Sequence, residues 1–405
     1  MSEWREVRLG DICDIYDGPH ATPPKTDSGN IFLGISSLGF DGRINSSHFE
    51  YVSEEVFKKW TKRIEPKYQD IVFSYETKLG VAAMIPVGFK CCLGRRMGLL
   101  RPKDGVEPRF LIYAYLAPDF QKVIHERTYH GSTVDRIPLK EMSDFPVSIP
   151  DLTEQKAIAS VLSSLDDKID LLHRQNKTLE AMAETLFRQW FVEEAGEDWE
   201  VKPLGHVAIV QNGFAFSSKD YVEYQEGYLE VFKMGHIKPG GGLRFSPKAN
   251  YVPRNEKLER WVLQQDDIVM AMTDMKDSMG ILGHPAMIDV SNKYVLNQRV
   301  ARIYLENSNN LITNYFLYLQ LNTEDAIAFL QSKANSGVQV NLSTEAIKSL
   351  SLIIPPKDVQ NQALKSIEPF FKKILLNRKS IKVLETLRDT LLPKLMSGEV
   401  RVDYP

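Results

Sequence analysis

Two stretches decide the fold of this chain: IPDLTEQKAIASVLSSLDDKI at residues 149–169 and IPPKDVQNQALKSIEPFFKKI at residues 354–374. They begin 205 residues apart and share an initial Ile-Pro, a Gln six residues after the Ile, and a final Lys-Ile. Each combines the end of a strand with the first turns of a helix. Because the same signal occurs twice in 405 residues, the sequence predicts an internal duplication.

The similarity between the two halves extends along their whole length. The matching segments follow the same order, and their offset changes only from 195 to 205 residues. They are WREVRLGDICDIYDG (4–18) with WEVKPLGHVAIVQNG (199–213), Tyr51-Val52 with Tyr251-Val252, Trp60 with Trp261, DIVFSYETKLG (70–80) with DIVMAMTDMKDSMG (267–280), CLGRRM (92–97) with VLNQRV (295–300), and FLIYAYL (110–116) with YFLYLQL (315–321). A repeat of about 200 residues is too long for a solenoid, so each copy is predicted to be a domain followed by a helix.

Each copy begins with short apolar runs separated by Gly, Pro, Asn and Asp. In the first copy, IFLGISSL, DIVFSY, VAAMIPV and FPVSIP are typical of strands, whereas VSEEVFKKW and RFLIYAYLAPDFQKVI are typical of helices. This pattern predicts a mixed α/β (α+β) domain with a substantial sheet. We therefore expect domains at residues 1–150 and 196–354, a helical segment at residues 151–195, and a second helical segment with a C-terminal tail at residues 355–405.

The segment that follows each domain has the spacing of a coiled-coil helix. Its seam positions alternate steps of four and three residues, which is typical of a heptad seam. The central seam residues are Leu165, Ile169, Leu172, Asn176, Leu179 and Leu186 in the first helix and Phe370, Ile374, Asn377, Ile381, Leu384 and Leu391 in the second. Pro369 is expected to begin or kink the second helix, and Pro393 to help end it.

Charge and polar seam residues predict how the two helices pair. Residues 151–195 carry a net charge of −4 and residues 355–405 a net charge of +4, which favours pairing with each other over self-pairing. An antiparallel pair places Asn176 opposite Asn377, whereas a parallel pair sets both amides against apolar residues. The antiparallel pair also places Arg388 opposite Leu165, where the aliphatic part of the arginine side chain can be buried while its guanidinium reaches water. The alternative is that each helix packs only on its own domain.

Composition bounds the class of protein without identifying it. The chain is 43% hydrophobic and 25% charged, which is ordinary for a soluble globular protein. It contains no apolar run near the roughly 20 residues that span a bilayer, and the N-terminal MSEWREVRLG lacks a signal-peptide core. A cytoplasmic protein without a membrane partner is therefore expected. The net charge is −3, so any binding to nucleic acid depends on local basic groups.

Two α/β domains, each followed by a heptad helix that Ile-Pro and Gln introduce, resemble the specificity subunit of type I restriction–modification systems. The segments LSSLDDKIDLLHRQNKTLEAMAETLFRQWF (162–191) and LRDTLLPKLMSGEVRV (387–402) are similar to the two conserved regions of that family. The resemblance covers nearly the whole chain. It implies two tandem, pseudo-symmetric target recognition domains joined by a two-helix antiparallel coiled coil.

The resemblance also implies a set of partners. Each domain would read one half of a bipartite, asymmetric site in double-stranded DNA, and the helices would dock two DNA methyltransferase (modification) subunits. Restriction/translocase subunits would join that core. The stretch from Leu165 to Trp190 is 26 residues, or about 39 Å of helix, close to the length of about 34 Å for one duplex turn. A spacer of this length suits two readers on one face of the DNA.

Candidate DNA contacts are the polar residues of loops that occupy matching positions in the two domains. In the first domain they are Lys25, Tyr75, Thr77, Lys78, Arg95, Arg96, His130 and Ser132, and in the second Lys219, Thr273, Asp274, Lys276, Gln298, Arg299, Gln339 and Asn341. Arg96 and Arg299 keep their identity across the repeat, which favours a backbone contact or a structural role. Residues that differ between the copies are better candidates for reading bases.

The chain lacks the sequence signatures of catalysis. It has no (Asn/Asp)-Pro-Pro-(Tyr/Phe) loop of an adenine methyltransferase and no G-x-x-x-x-G-K-[ST] phosphate loop. Its three Cys, its His residues and its carboxylates show no metal-ligand spacing, and Glu76-x-Lys78 resembles only half of a nuclease metal site. A non-catalytic subunit without a cofactor is expected. The alternatives are the specificity subunit of a fused type II enzyme, a self-contained methyltransferase or nuclease, and a helical adaptor that does not bind DNA.

Overall fold

The structure is a computed structural model that describes residues 4–46, 49–131, 134–244, 247–276, 279–306, 311–335, 337 and 339–402. It divides into two compact units. Unit 1 contains Met1–Leu171 and Ile381–Pro405, and unit 2 contains Leu172–Ser380. The first unit therefore combines segments from both ends of the chain, whereas the second is continuous.

The described residues of unit 1 form three small sheets and four short helices, besides parts of two long helices. The strands are β1 Arg5–Arg8, β2 Cys13–Asp17, β3 Asn30–Leu33, β4 Glu50–Val52, β5 Ile71–Ser74, β6 Ala82–Met84, β7 Cys91–Leu93, β8 Met97–Pro102 and β9 Pro146–Ile149, and the helices are α1 Leu9–Ile12, α2 Glu54–Trp60, α3 Pro108–Leu116 and α4 Pro118–Arg127. The sheet orders are β2-β8-β5-β6, β4-β3-β7 and β1-β9. Only β3 and β7 pair in parallel among these strands.

Unit 2 repeats this arrangement after the long helix α5, Leu152–Arg188. Its strands are β10 Glu200–Pro203, β11 Ile209–Asn212, β12 Leu229–Phe232, β13 Tyr251–Val252, β14 Ile268–Ala271, β15 Thr273–Met275, β16 Pro285–Met287, β17 Tyr294–Leu296, β18 Val300–Tyr304, β19 Gln339–Asn341 and β20 Ser351–Ile354, and its short helices are α6 Asn314–Leu321, α7 Glu324–Ser332 and α8 Thr344–Lys348. The sheets β11-β18-β14-β16, β13-β12-β17 and β10-β20 match those of unit 1, and β15-β19 is an additional pair. The predicted duplication and mixed α/β class are confirmed.

One of the two inner strands of each four-stranded sheet is buried on both faces and is almost entirely apolar. All four residues of β5 are buried, and so are all four of β14. In unit 1, Phe73 of β5 packs on Tyr115 of α3, with ring centroids 5.8 Å apart. Strands that are buried on both sides appear in the sequence as continuous apolar runs rather than as alternating ones. The repeated Asp-Ile-Val segments are such runs.

The repeated Gln of the two opening stretches connects each long helix to the strand before it. Gln155 Nε2 donates to the Pro150 carbonyl at 3.0 Å, and Gln360 Nε2 donates to the Pro355 carbonyl at 2.8 Å. Both side chains are buried. Gln155 Oε1 also accepts from the backbone N–H of Glu107 at 3.0 Å. The Gln therefore satisfies backbone groups where a strand turns into a helix, which explains why the sequence repeats it.

The helices α5 and α9, Lys357–Met396, pair in antiparallel fashion within each unit. In unit 2, Asn377 Nδ2 donates to Asn176 Oδ1 at 2.8 Å, and both side chains are buried. In unit 1, Arg388 Nη1 lies 3.0 Å from Asp166 Oδ1. The sequence predicts Arg388 opposite Leu165. The partner of its guanidinium is the carboxylate of the next residue, Asp166. The antiparallel coiled coil is confirmed, and the predicted contact between the two Asn side chains is present.

The prediction that Pro369 begins the second helix is wrong. Helix α9 begins at Lys357 and continues through Pro369 without interruption. Pro369 is exposed, so water can solvate the carbonyl of the preceding turn that loses its N–H partner. The helix ends after Met396 at Gly398, which adopts a φ of 72°. A glycine in this left-handed conformation is a common helix terminator.

Candidate nucleic-acid interface

In unit 1, backbone hydrogen bonds join segments of four loops that carry predicted residues, those that begin at Gly18, Tyr75, Gly94 and Thr128. The Gly18 N–H donates to the Met97 carbonyl at 2.9 Å, and the Tyr75 N–H donates to the Arg96 carbonyl at 3.2 Å. The Ile137 N–H donates to the Tyr75 carbonyl at 2.8 Å. The segments that follow β2, β5, β7 and α4 therefore form one loop cluster.

Unit 2 has the same cluster, built from the matching segments. The Phe214 N–H donates to the Leu296 carbonyl at 2.8 Å, the Met272 N–H to the Arg299 carbonyl at 3.0 Å, and the Leu342 N–H to the Met272 carbonyl at 2.8 Å. The carbonyls of Arg96 and Arg299 thus make equivalent bonds to the end of β5 and to the residue after β14. These two arginines occupy the same structural position, as their place in the repeat predicts.

Arg96 is held in place by its neighbours in the loop cluster of unit 1. Its Nε lies 2.7 Å from Glu76 Oε2, and its Nη1 donates to Thr77 Oγ1 at 3.3 Å. Both Arg96 and Thr77 have a φ of 69°, a conformation that non-glycine residues rarely adopt and that often marks functional sites. Lys78 Nζ donates to the Leu38 carbonyl at 2.5 Å. Glu76 and Lys78 are therefore engaged in these contacts.

The other candidates of unit 1 differ in accessibility. Arg95 and His130 are exposed, and His130 Nδ1 lies 3.2 Å from Asp135 Oδ1. Tyr75 is buried, and burial together with the nearby Asp17 raises the pKa of its hydroxyl. Lys25 is ion-paired with Glu50 beside β4, away from the hydrogen bonds that join the loop cluster. Ser132 lies outside the described residues.

In unit 2, a short antiparallel pair presents the predicted residues. Strand β15 pairs with β19, Thr273 opposite Asn341 and Met275 opposite Gln339. Thr273 Oγ1 donates to Asn341 Oδ1 at 2.9 Å, and Asp274 Oδ2 accepts from the Ile281 N–H at 2.9 Å. These bonds hold the side chains of Thr273, Asp274 and Asn341 in place, and several polar side chains of this region are exposed. The exposed set is Lys276, Gln298, Arg299, Gln339 and Asn341.

Two residues of this region have roles that sequence reasoning did not assign. Arg136 is exposed and forms an antiparallel bridge with Glu76, so it belongs to the loop cluster of unit 1. The sequence feature that could have identified Arg136 is its position as the basic residue at the end of the loop segment YHGSTVDR, residues 129–136. The sequence suggests for Glu76 only a place in half of a nuclease metal site. In the structure its carboxylate forms an ion pair with Arg96. Lys219, by contrast, sits in the turn Ser218–Asp220 and makes none of the contacts that define the cluster.

Neither a metal centre nor a membrane segment is found in the described part of the chain. Its His, Cys, Asp and Glu side chains form no group that could hold a metal ion. Among the described residues, no helix is both long and apolar enough to cross a bilayer. The three cysteines are buried and unpaired, and burial raises the pKa of the Cys13 thiol to about 12, which makes it a poor nucleophile.

The profile described as "Type I restriction modification DNA specificity domain" matches residues 1–181 and again residues 196–386. The two matches cover both repeats and most of the chain. The chain belongs to this family. Its role is that of a specificity subunit, which binds DNA in a sequence-specific manner for a type I restriction–modification complex.

Individual relatives agree with this assignment. The chain is 25% identical over 378 residues to the type I restriction enzyme MjaIX specificity subunit of Methanocaldococcus jannaschii, covering 87% of this chain and 82% of the relative. It is 23% identical to the HindI specificity subunit of Haemophilus influenzae, covering 73% and 78% of the two chains. The crystal structure of a type I S subunit from M. genitalium has the same fold, with a TM-score of 0.56, 16% identity, and coverage of 100% and 97%.

Proposed function

We propose that each unit reads one half of a bipartite, asymmetric DNA site through its loop cluster, and that the chain itself catalyses no reaction. The observation that carries this proposal is the repetition of one loop scaffold with different side chains. Unit 1 presents Arg95 and His130 on it, whereas unit 2 presents Gln298, Gln339 and Asn341. A conserved scaffold with exchanged polar side chains is what reading two different sequences requires.

The side chains differ in the bases they suit. Arginine makes bidentate hydrogen bonds to guanine O6 and N7, and Asn or Gln makes them to adenine N6 and N7. Unit 1 therefore favours a half-site with guanine, and unit 2 favours a half-site with adenine. Arg96 and Arg299 share one position and are assigned to the DNA backbone, where contacts set register without reading sequence.

Exchange of the domains tests this division of labour. Residues 1–150 are replaced by the equivalent segment of another specificity subunit, and the complex with a modification partner is expressed in cells. Mapping of methylated positions in the cellular DNA is expected to show one altered half-site and one unchanged half-site. Replacement of residues 196–354 is the matched control and should alter the other half. A motif that is unchanged in both halves would refute the proposal.

We also propose that each unit docks one methyltransferase subunit on an apolar surface of its long helices. In unit 1 the exposed apolar side chains include Leu171, Val383 and Leu387, and in unit 2 they include Met182 and Leu376, each between 43% and 67% exposed. The repeat offset of 205 residues relates Leu171 to Leu376 and Met182 to Leu387. Exposed apolar residues that recur at equivalent positions indicate two copies of one docking surface.

The stoichiometry of the complex tests the docking surfaces. Val383→Asp with Leu387→Asp should reduce the bound methyltransferase from two copies to one, as measured by native mass spectrometry, because charges in an apolar interface are costly. Lys58→Ala with Lys122→Ala is the control, since it changes the net charge by the same two units on exposed side chains outside the long helices. Two bound copies in the first variant, or an equal loss in the control, would contradict the assignment. Restriction/translocase subunits would then join the assembled core.

A further inference from the structure

A cavity of about 500 Å³ lies beside the loop cluster of unit 1. It is lined on one side by Asp17, Gly18, Pro19 and His20, at the start of the loop that follows β2. Leu93, which precedes the loop of Arg95 and Arg96, also lines it. The cavity therefore shares two of its walls with the segments that form the candidate interface.

The opposite wall is the end of α2 and the residues after it. It contributes Trp60, Lys59, Lys62 and Arg63. The three basic side chains are exposed. Trp60 Nε1 is buried and has no hydrogen-bond acceptor among the described residues. An indole N–H can only donate, and a buried donor without a partner costs about 1–3 kcal/mol. The wall thus offers one unused donor and three cations.

In unit 2, protein groups occupy the position that matches this cavity. Trp261 is the repeat equivalent of Trp60, and its Nε1 donates to the Asn212 carbonyl at 3.0 Å. Phe214, which occupies the position of Pro19, packs on the Trp261 ring with centroids 5.0 Å apart. Unit 2 therefore supplies the indole with an acceptor and the space with an aromatic ring. The described residues of unit 1 supply neither.

We propose that the cavity of unit 1 binds a backbone phosphate of the DNA, which is neutralised by Lys59, Lys62 and Arg63 and accepts a hydrogen bond from the Trp60 indole once a small rotation of that side chain exposes Nε1. This inference rests on the proposed reading of DNA by unit 1, and it assigns to that unit an anchor that unit 2 lacks. Phosphate oxygens are strong acceptors, and Lys and Arg side chains are their usual partners.

The one acidic residue of the cavity does not reverse this charge balance. Asp17 Oδ2 lies 2.8 Å from His20 Nε2, and Oδ1 is buried without a hydrogen-bond partner in the described part of the chain. Three cations against this carboxylate leave a net charge of +2 with His20 neutral. An anion is therefore favoured over a cation or a neutral ligand of the same size.

Binding of the assembled complex to a duplex that contains its mapped site tests the proposal. Lys62→Ala with Arg63→Ala should weaken binding about tenfold for cognate and half-site-altered duplexes alike, and should reduce the slope of log K against log salt by about 1, because a lost phosphate contact carries no sequence information. Trp60→Phe keeps a ring but removes the donor, and should weaken binding about threefold to tenfold. Lys58→Ala with Lys122→Ala, two lysines with side chains 76% exposed, is the control of equal charge.

Methylphosphonate substitution of single phosphates identifies the contact itself. For the wild-type complex, one neutralised position beside the half-site of unit 1 should weaken binding, and the Trp60→Phe complex should no longer respond at that position. An unchanged response, or equal effects of the control and cavity variants, overturns the proposal. Competition by inorganic phosphate beyond that of chloride at equal ionic strength, without a methylphosphonate position that depends on Trp60, assigns the cavity to free phosphate and also overturns it. A wild-type complex that does not bind DNA specifically refutes the proposed function instead.

Discussion

The two units place the same tyrosine against the long helices in opposite chemical surroundings. Tyr113 and Tyr318 are equivalent in the repeat, and both are buried. In unit 1 the Tyr113 hydroxyl donates to Asp166 Oδ2 at 2.6 Å, and Arg388 and Arg43 lie 3.0 and 3.6 Å from the same carboxylate. Burial, together with this carboxylate, raises the pKa of the Tyr113 hydroxyl.

In unit 2 the equivalent of Asp166 is Phe371. The Tyr318 ring meets Phe371 edge-on at 5.8 Å, and Tyr315 stacks on its other side at 4.8 Å with an interplanar angle of 14°. Burial, with a smaller contribution from the nearby Glu180 carboxylate, raises the pKa of the Tyr318 hydroxyl. The layer between domain and helix is thus ionic in one unit and aromatic in the other.

This difference shows that the backbone of the repeat tolerates either chemistry, provided that each buried group has a partner. An aromatic layer gains stability from apolar area and ring geometry. An ionic layer adds little net stability but is costly to break, because a partner left behind is a buried charge. A second substitution should therefore be able to restore stability lost in the ionic layer of unit 1, but not stability lost in the aromatic layer of unit 2.

The largest effect is expected for Phe371→Ala in unit 2. Removal of a buried aromatic side chain from a packed layer costs about 3–5 kcal/mol through lost transfer energy and a residual cavity. Urea unfolding of the full chain should show this loss in the free energy of unfolding. Phe371→Leu is the control, and should recover more than half of it. An alanine variant as stable as wild type would show that the layer does not support unit 2.

A smaller loss, about 2–3 kcal/mol, is expected for Arg388→Met in unit 1, since Asp166 keeps Tyr113 and Arg43 as partners. Adding Asp166→Asn should restore most of the stability, because no buried charge is then left unpaired while the amide oxygen still accepts from the Tyr113 hydroxyl. The same denaturant titration, arranged as a double-mutant cycle, measures the coupling. A double variant less stable than Arg388→Met alone would contradict this prediction, because the loss of stability would then not come from an unpaired buried charge.

The smallest effect compares the two tyrosines directly. Tyr113→Phe should cost about 1–2 kcal/mol because Asp166 loses a charge-assisted hydrogen bond. Tyr318→Phe should cost less than about 0.5 kcal/mol, since the ring contacts with Phe371 and Tyr315 remain. Thermal unfolding of the two variants side by side checks the order. Equal losses of stability would contradict this comparison, because the two hydroxyls would then contribute the same free energy in the ionic and the aromatic layer.

Much of the fold follows from the sequence because its signals are periodic and local. The seam spacing and the two Asn residues predict the antiparallel pairing, and the Asn176–Asn377 contact is found at 2.8 Å. Pro369 does not mark the start of the helix because it lies on an exposed helix face, where water can solvate the unpaired carbonyl, and sequence spacing alone does not give that exposure.

The candidate site is less predictable, because which side chains face outward depends on tertiary contacts. The matching loops do converge in each unit. Tyr75, however, is buried at the end of β5, Lys25 is taken by Glu50, and Glu76 serves Arg96. Each of these outcomes depends on a partner far away in sequence. The repeat identifies the loops, but only the structure separates supporting residues from exposed ones.

The composition of unit 1 from both chain ends sets an order for synthesis. Unit 2 ends at Ser380, so all of its residues have been translated before the last helical turns of the chain exist. Unit 1 must wait for Ile381 and the residues after it, since Leu395 and Met396 share its core with Ile158 and Leu162. The recognition domain that the ribosome makes first is therefore the one that is completed last. A ribosome that stops shortly after residue 380 releases a chain in which only the second reader has its full core.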